Sequence, residues 1–377
     1  MAQHAKLSAS SSDRWLTCPA SIKACEGYKN TSNSASEYGT AAHALSEMYL
    51  LGAITTIESM LGKDVEGVTV DREMVKGVEE YCDYFNSYAS GAQFVGIEER
   101  MSFNHLVPEG FGTADGVIIK DNVLHIIDLK FGHNIVNAGN NSQLSLYALG
   151  AILEHGVIHD IEEVHLHIVQ PRANHFDVWE TTPLELEEWG EWVKDRAELA
   201  LSNDAPFNPT AKACKYCQHQ HNCVALSEHV NSVILGDFDN LEDLDGQADK
   251  IDTKHIKNIL DNMDLINGFL KAVEQVAHER LLNGEKIDGY KLVQGRKNKT
   301  WTDEKKAIEL LKSKFDDFEI FNMKLITPTQ ALKLVGKKGE ELLDDYWSIP
   351  EGAPTLVTSG DNRPEIGSVV DEFDSLS

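Results

Sequence analysis

The sequence predicts an α/β fold, a mixed sheet flanked by helices with a mostly helical α+β appendage behind it. Three observations predict it. Two early segments repeat apolar residues at three- and four-residue steps. The period then switches to short runs rich in Val and Ile, separated by turn residues. Beyond those runs, helical and strand-like segments alternate, the pattern of a sheet covered by helices.

Residues 1–35 are polar and rich in Ser, with one apolar knot at Trp15 and Leu16. From Ser36 the pattern is helical, with Ser36 as N-cap and Gly52 as stop. A second helix fits residues 73–88, where Met74, Val78, Tyr81 and Phe85 share a face. Residues 94–103, 112–119 and 123–129 read as a three-stranded antiparallel meander, with turns at 104–110 and 120–122. Residues 141–153 form a helix, 164–170 a fourth strand and 176–180 a fifth. Residues 184–201 form a long acidic amphipathic helix, and a Pro-containing linker covers 203–213. An acidic, poorly periodic joint spans 237–249, then one strong helix spans 251–283 and a small α/β region runs to about residue 347. Three parts result: a core over 1–235, a C-terminal domain over 236–349, and an acidic disordered tail over 350–377.

The 377 residues are 42% hydrophobic and 25% charged, which excludes wholesale disorder, a collagen-like fibre and a disulfide miniprotein. No run of about 18 apolar residues exists, and the N-terminus lacks the apolar core of a signal peptide, so a cytoplasmic location is expected. The formal net charge is -27. A chain this acidic repels phosphate polymers at long range, so binding nucleic acid would require a local basic strip, divalent metals, or both. Part of the excess is local: residues 341–377 hold nine acidic residues and one basic, Arg363.

Chemistry concentrates in Gly112-Thr-Ala-Asp-Gly116 and Val123-Leu-His-Ile-Ile-Asp-Leu-Lys130. Asp115 and Asp128 fall on adjacent strands. Asp128 and Lys130, two apart, point to the same side. Charges at the end of an otherwise apolar strand are costly unless they have partners or a metal. Two carboxylates and a backbone carbonyl make a hard, oxygen-rich site suited to Mg²⁺ or Mn²⁺. A lysine beside them can orient attacking water, and metal-assisted phosphodiester hydrolysis needs that set. Taken alone, the D-x-K tripeptide also fits an ordinary exposed ion pair. Gln143 and Tyr147 lie one turn apart on one helix face, and His43 lies in the small-residue helix Gly39-Thr-Ala-Ala-His43. Glu47, Glu98 and Glu99 are secondary candidates, and nothing singles out His105, His125 or His133.

Three of the six cysteines form Cys214-x2-Cys217-x5-Cys223, which points to zinc or iron–sulfur ligation. Cys18, itself in a short local motif, is one candidate fourth ligand. His219 or His221 would instead complete a Cys3His zinc site. Cys25 and Cys82 read as packing residues.

This order of elements resembles the PD-(D/E)xK nuclease superfamily, which has a restriction-endonuclease-like fold, and within it the RecB-like branch. Over residues 36–150 the resemblance implies metal ligation by His43, Asp115, Asp128 and the Leu129 carbonyl. It implies a catalytic lysine at Lys130, and DNA contact or site support from Gln143 and Tyr147. A cysteine before the core and C-x2-C-x5-C after it resemble the AddB-like and CRISPR-associated iron–sulfur exonucleases. That likeness implies a [4Fe–4S] cluster on Cys18, Cys214, Cys217 and Cys223, closing a loop of roughly 200 residues.

Residues 291–306 carry six basic residues and Trp301, a composition suited to a nucleic-acid backbone and base stacking, with Arg296, Lys297 and Lys299 as its centre. The whole chain resembles an uncharacterised phage- and prophage-encoded family. The combined expectation is a Mg²⁺/Mn²⁺-dependent DNA exonuclease of phage recombination or replication, acting in the bacterial host cytoplasm with DNA and other phage replication proteins as partners. The alternatives are a catalytically weak DNA- or partner-binding module on the same fold, and a nuclease stapled by zinc.

Overall fold

The structure, a computed structural model, describes residues 5–28, 34–236, 252–293 and 304–312, together with Ile320, Phe321, Thr327, Pro328 and Ala331. Two short helices, α1 (Ser12–Thr17) and α2 (Ser21–Ala24), open the chain. Helix α3 (Ser34–Leu50) is already formed at Ser34, so Ser36 lies inside it rather than capping it. Its exit is as expected, with Gly52 in the left-handed region at φ 74°. A hairpin unforeseen from the sequence follows, β1 (Asp64–Val65) and β2 (Val68–Thr69). Glu66 and Gly67 turn it, both at positive φ. Helix α4 (Arg72–Ala89) starts on Asp71, whose side chain accepts the Met74 N–H at 2.8 Å.

The expected meander follows as β3 (Phe94–Ser102), β4 (Phe111–Lys120) and β5 (Val123–Leu129), paired antiparallel. Helix α5 (Ser142–His155), capped by Asn141, crosses over to β6 (Glu163–Gln170). That crossover makes β6 parallel to β5. Strand β7 (His175–Thr181) returns antiparallel and completes a five-stranded mixed sheet in sequence order. Helix α6 (Pro183–Leu201) begins with a capping box between Thr182 and Glu185.

Apolar side chains cover both faces of the sheet. Leu124, Ile126, Val117, Leu166 and Ile168 pack under α5 and α6, joined by Leu7, Trp15 and Leu16 from the N-terminus. Ile118, Ile127, Leu129 and Val169 pack on the other face under α3 and α4. Helices α7 (Ala211–Cys214) and α8 (Val224–Leu235) follow. The single helix expected over 251–283 is two: α9 (Thr253–Asp261) and α10 (Met263–Leu282), broken at Asn262, whose φ of -106° and ψ of 6° leave the helical region. Leu265 of α10 packs with Cys214, Cys223, Leu226 and Val230 in a third cluster.

The chain divides into two compact units, Met1–Leu292 and Val293–Ser377. The boundary expected after residue 235 falls inside the first unit. Of the second unit, α11 (Glu304–Lys312) is described, and Lys312 Nζ lies 5.3 Å from the Phe321 ring centre. The joint at 237–249, most of the region expected to run to 347, the tail at 350–377, and the basic strip with Trp301, Arg296, Lys297 and Lys299 lie outside the described residues.

Candidate active site

A strand's period of two lines Asp128 and Lys130 up with Leu124 and Ile126, on the α5 side of β5. Gln143 and Tyr147 of α5 meet them there. Gln143 Nε2 donates to Asp128 Oδ1 at 3.2 Å and to the Tyr147 hydroxyl at 3.3 Å. Lys130 Nζ donates to Gln143 Oε1 at 3.0 Å and lies 2.8 Å from Asp128 Oδ2. Asp128 is 2% exposed, so an exposed ion pair is not what this tripeptide forms.

Asp115 arrives by a local irregularity. Ala114 and Val117 are three apart yet pack on the same face, so the alternation of β4 slips by one between them. On β3, Ile97 packs toward α4 and Met101 toward α5, although four residues separate them. The slip on β3 coincides with Glu98, whose φ of 49° is a left-handed value for a non-glycine residue. Glu98 sits opposite Asp115, between the pairs Ile97↔Gly116 and Glu99↔Ala114. Asp115 thereby reaches α3, where His43 Nδ1 lies 3.3 Å from its Oδ1. Its Oδ2 accepts the Leu129 N–H at 2.7 Å, pinning the carboxylate to the end of β5. Two glycines permit this packing. A Cβ on Gly112 would lie 2.6 Å from the Tyr147 ring, and one on Gly116 would lie 2.6 Å from the Phe85 ring.

His43, Glu98 and Asp115 each offer a ligand atom within 4.8 Å of the others. Glu98 is the residue that sequence reasoning left undistinguished from Glu99. No local signal marks it, because its place depends on pairing with β4. Charge is strongly coupled here. Burial disfavours the His43 cation, but the Asp115 carboxylate outweighs it and raises the imidazole to about 9. Burial would raise Asp115, yet His43 and Lys130 hold it below the ordinary carboxylate range. Burial pushes Asp128 up; Lys130 opposes this, while the Asp115 charge adds to it. Burial, reinforced by Asp115, raises Glu98 to about 7. Burial would lower Lys130, and Asp128 raises it instead.

Asp128 Oδ2 is buried and paired with the Lys130 ammonium at 2.8 Å. His43, Glu98 and Asp115, to which the Asp128 charge is electrostatically coupled, make an oxygen-rich group suited to a hard divalent cation.

The cysteines gather at a separate place. Cys18, Cys214, Cys217 and Cys223 line one small cavity with Phe207, Pro209 and His219. The N-terminal segment is clasped onto the chain that follows the sheet and its covering helices. Arg196 donates to the Leu16 and Thr17 carbonyls, Ala20 N–H to Pro206 O at 3.2 Å, and Asn208 N–H to Cys18 Sγ at 3.3 Å. Burial pushes the Cys18 and Cys214 thiols up, Cys214 to about 11. Cys25, expected only to pack, has its sulfur 3.7 Å from that of Cys217. Cys82, on the buried face of α4, packs in the core, as a packing residue should. Among the described residues, no three cysteine sulfurs lie within 4.8 Å of one another. Four thiolates on one zinc ion at 2.3 Å would be about 3.8 Å apart.

Two solved structures are similar in part. A candidate exonuclease from Eubacterium rectale is 13% identical, with a TM-score of 0.34 over 58% of this chain and 88% of that one. SSO0001 is 14% identical, with a TM-score of 0.29 over 60% of this chain and 89% of that one. A family model spans nearly the whole sequence: residues 4–364 match the DUF2800 family, described as proteins of unknown function, and the chain belongs to that family.

Proposed function

We propose that this protein is a Mg²⁺- or Mn²⁺-dependent nuclease that hydrolyses phosphodiester bonds of DNA from an end, in phage recombination or replication. The observation that carries the reading is the convergence of His43, Glu98 and Asp115 ligand atoms within 4.8 Å of one another, coupled to the buried Asp128–Lys130 pair. His43, Glu98, Asp115, Asp128 and the Leu129 carbonyl would hold the cation. When bound, such an ion supplies Lewis-acid stabilisation of charge on phosphoryl oxygens. Lys130, held by Gln143 and Asp128, keeps a fixed positive charge where attacking water and a scissile phosphate would meet. Gln143 positions both Asp128 and Lys130, and Tyr147 supports Gln143.

We further propose that Cys18, Cys214, Cys217 and Cys223 hold a [4Fe–4S] cluster. Four thiols converging on one cavity support it.

A cleavage assay on end-labelled DNA tests the nuclease reading. Lys130→Ala and Asp128→Ala are expected to abolish cleavage with circular dichroism unchanged. A folded Lys130→Ala protein cutting at the wild-type rate would overturn the assignment. A wild-type chain that binds DNA with Mg²⁺ or Mn²⁺ and never cuts would be the binding module instead.

A further inference from the structure

On the opposite face of the sheet from Asp128 lies a second cluster, sharing no residue with the proposed nuclease site. We propose that His125, His165 and His167 form a site for a divalent transition-metal cation of the zinc class, with Tyr84 and Glu163 orienting two of the three imidazoles.

The sheet register builds the cluster. His125 of β5 pairs directly with His165 of β6, and His167 lies two residues further along the same side. Each ring offers a nitrogen, and these atoms lie within 4.8 Å of one another. His125 Nδ1 and His167 Nε2 are 3.0 Å apart. Two imidazole nitrogens on one tetrahedral zinc ion, at 2.0–2.1 Å from it, stand about 3.3 Å apart. The rings converge edge-on or tilted and none are stacked: His125 and His165 are perpendicular at 90°, and His125 and His167 are inclined by 44°.

Two of the three rings have the outer partners that metal-binding histidines require. The Tyr84 hydroxyl lies 2.8 Å from His167 Nδ1, so His167 Nε2 is the atom turned inward. Glu163 Oε2 lies 3.3 Å from His165 Nε2, leaving His165 Nδ1 for the cation. A simple hydrogen bond between His125 and His167 would account for two rings and give the third no role. His125 is 6% exposed and His167 fully buried, and burial holds them at about 4 and about 3, in the neutral form that ligates. The His165 side chain, 18% exposed, leaves a route in from solvent. Imidazole ligands suit zinc, copper and nickel, whereas Mg²⁺ prefers the oxygen-rich site. A bound ion would tie β5 to β6 and, through Tyr84, tie the sheet to α4.

The test is a Co²⁺ titration of the chelator-treated full-length chain, followed by absorption. One equivalent is expected to give d–d bands of tetrahedral intensity without thiolate-to-cobalt charge transfer, and Zn²⁺ should displace it. His165→Ala, at the partly exposed position, should lose the bands, and so should His125→Ala. Cys217→Ser and Asp115→Asn should keep them. A folded wild-type chain without these bands would overturn the proposal, as would bands undiminished in His165→Ala. Charge transfer that accounts for all bound cobalt and disappears in Cys217→Ser would place the ion on the cysteines and overturn it equally.

Discussion

Glu98 shows how much one residue can do at a strand irregularity. A non-glycine residue at φ 49° costs about 1–3 kcal/mol, and such strain persists where the surroundings enforce it. Here it sets a carboxylate beside Asp115 and His43. Glu98→Gln keeps the shape and removes the charge. It is expected to weaken Mn²⁺ affinity by at least about tenfold, the loss that removing even an outer partner of a metal site causes. Isothermal titration with Mn²⁺ checks this, and unchanged affinity would remove Glu98 from the ligand set. Asp128→Asn should retain the fold and lose the rise in melting temperature that Mn²⁺ gives the wild type, read by differential scanning fluorimetry.

The elements act through their contacts. Phe85 of α4 lies against the backbone of Gly116, which brings that helix close to β4 just after Asp115. Gly116→Ala would push a Cβ to 2.6 Å from that ring. The expected cost is about 1–3 kcal/mol in urea unfolding, the range for overpacking a tight core. Gly112→Ala would press on Tyr147 instead, at the end of the Gln143 relay. Its expected effect is slower cleavage at saturating DNA together with a comparable loss of stability, because Tyr147 is itself buried in the core. Equal stability losses without any change in rate would show that Tyr147 takes no part in positioning Gln143.

Across the first unit, the N-terminal segment is fastened to residues 196–223 by side-chain and backbone bonds, and the cysteine cavity is its junction. Iron removal, or Cys217→Ala, is expected to bleach a brown protein carrying about four irons per chain. Heat stability should fall with it, because cluster binding is coupled to folding. Limited proteolysis should then cut within the first 28 residues before the sheet is attacked. Stoichiometric zinc in protein made with ample iron would replace the cluster reading. At this scale the net charge of -27 also matters, since under the proposed function DNA would have to approach a repelling surface. Affinity should rise with divalent cation and fall steeply with monovalent salt. Reversing Arg296, Lys297 and Lys299 to Glu should weaken binding without changing the rate at saturating DNA. Among the described residues no helix is long and apolar enough to cross a membrane.

Much of this molecule follows from local pattern. The strands over 94–102, 111–120, 123–129, 163–170 and 175–181 are legible because side chains alternate across a pleated surface. The D-x-K pair is legible because charge at the end of an apolar strand is costly. The one-turn spacing of Gln143 and Tyr147 is legible because helix geometry makes them neighbours. Other features depend on partners far away in the chain. The parallel pairing of β5 with β6 follows from where α5 packs, and it is this pairing that sets His125 beside His165. Cys25 gains a sulfur neighbour through a fold closure spanning 192 positions. The break at Asn262 has no Pro or Gly to announce it. Glu98 differs from Glu99 through a slip shared by two strands, which neither strand's sequence contains alone. Sequence by itself determined which residues could carry chemistry, because residue type and period are local properties. Only the tertiary structure decided which of them share a site, because burial and convergence depend on the whole sheet and the helices packed on it.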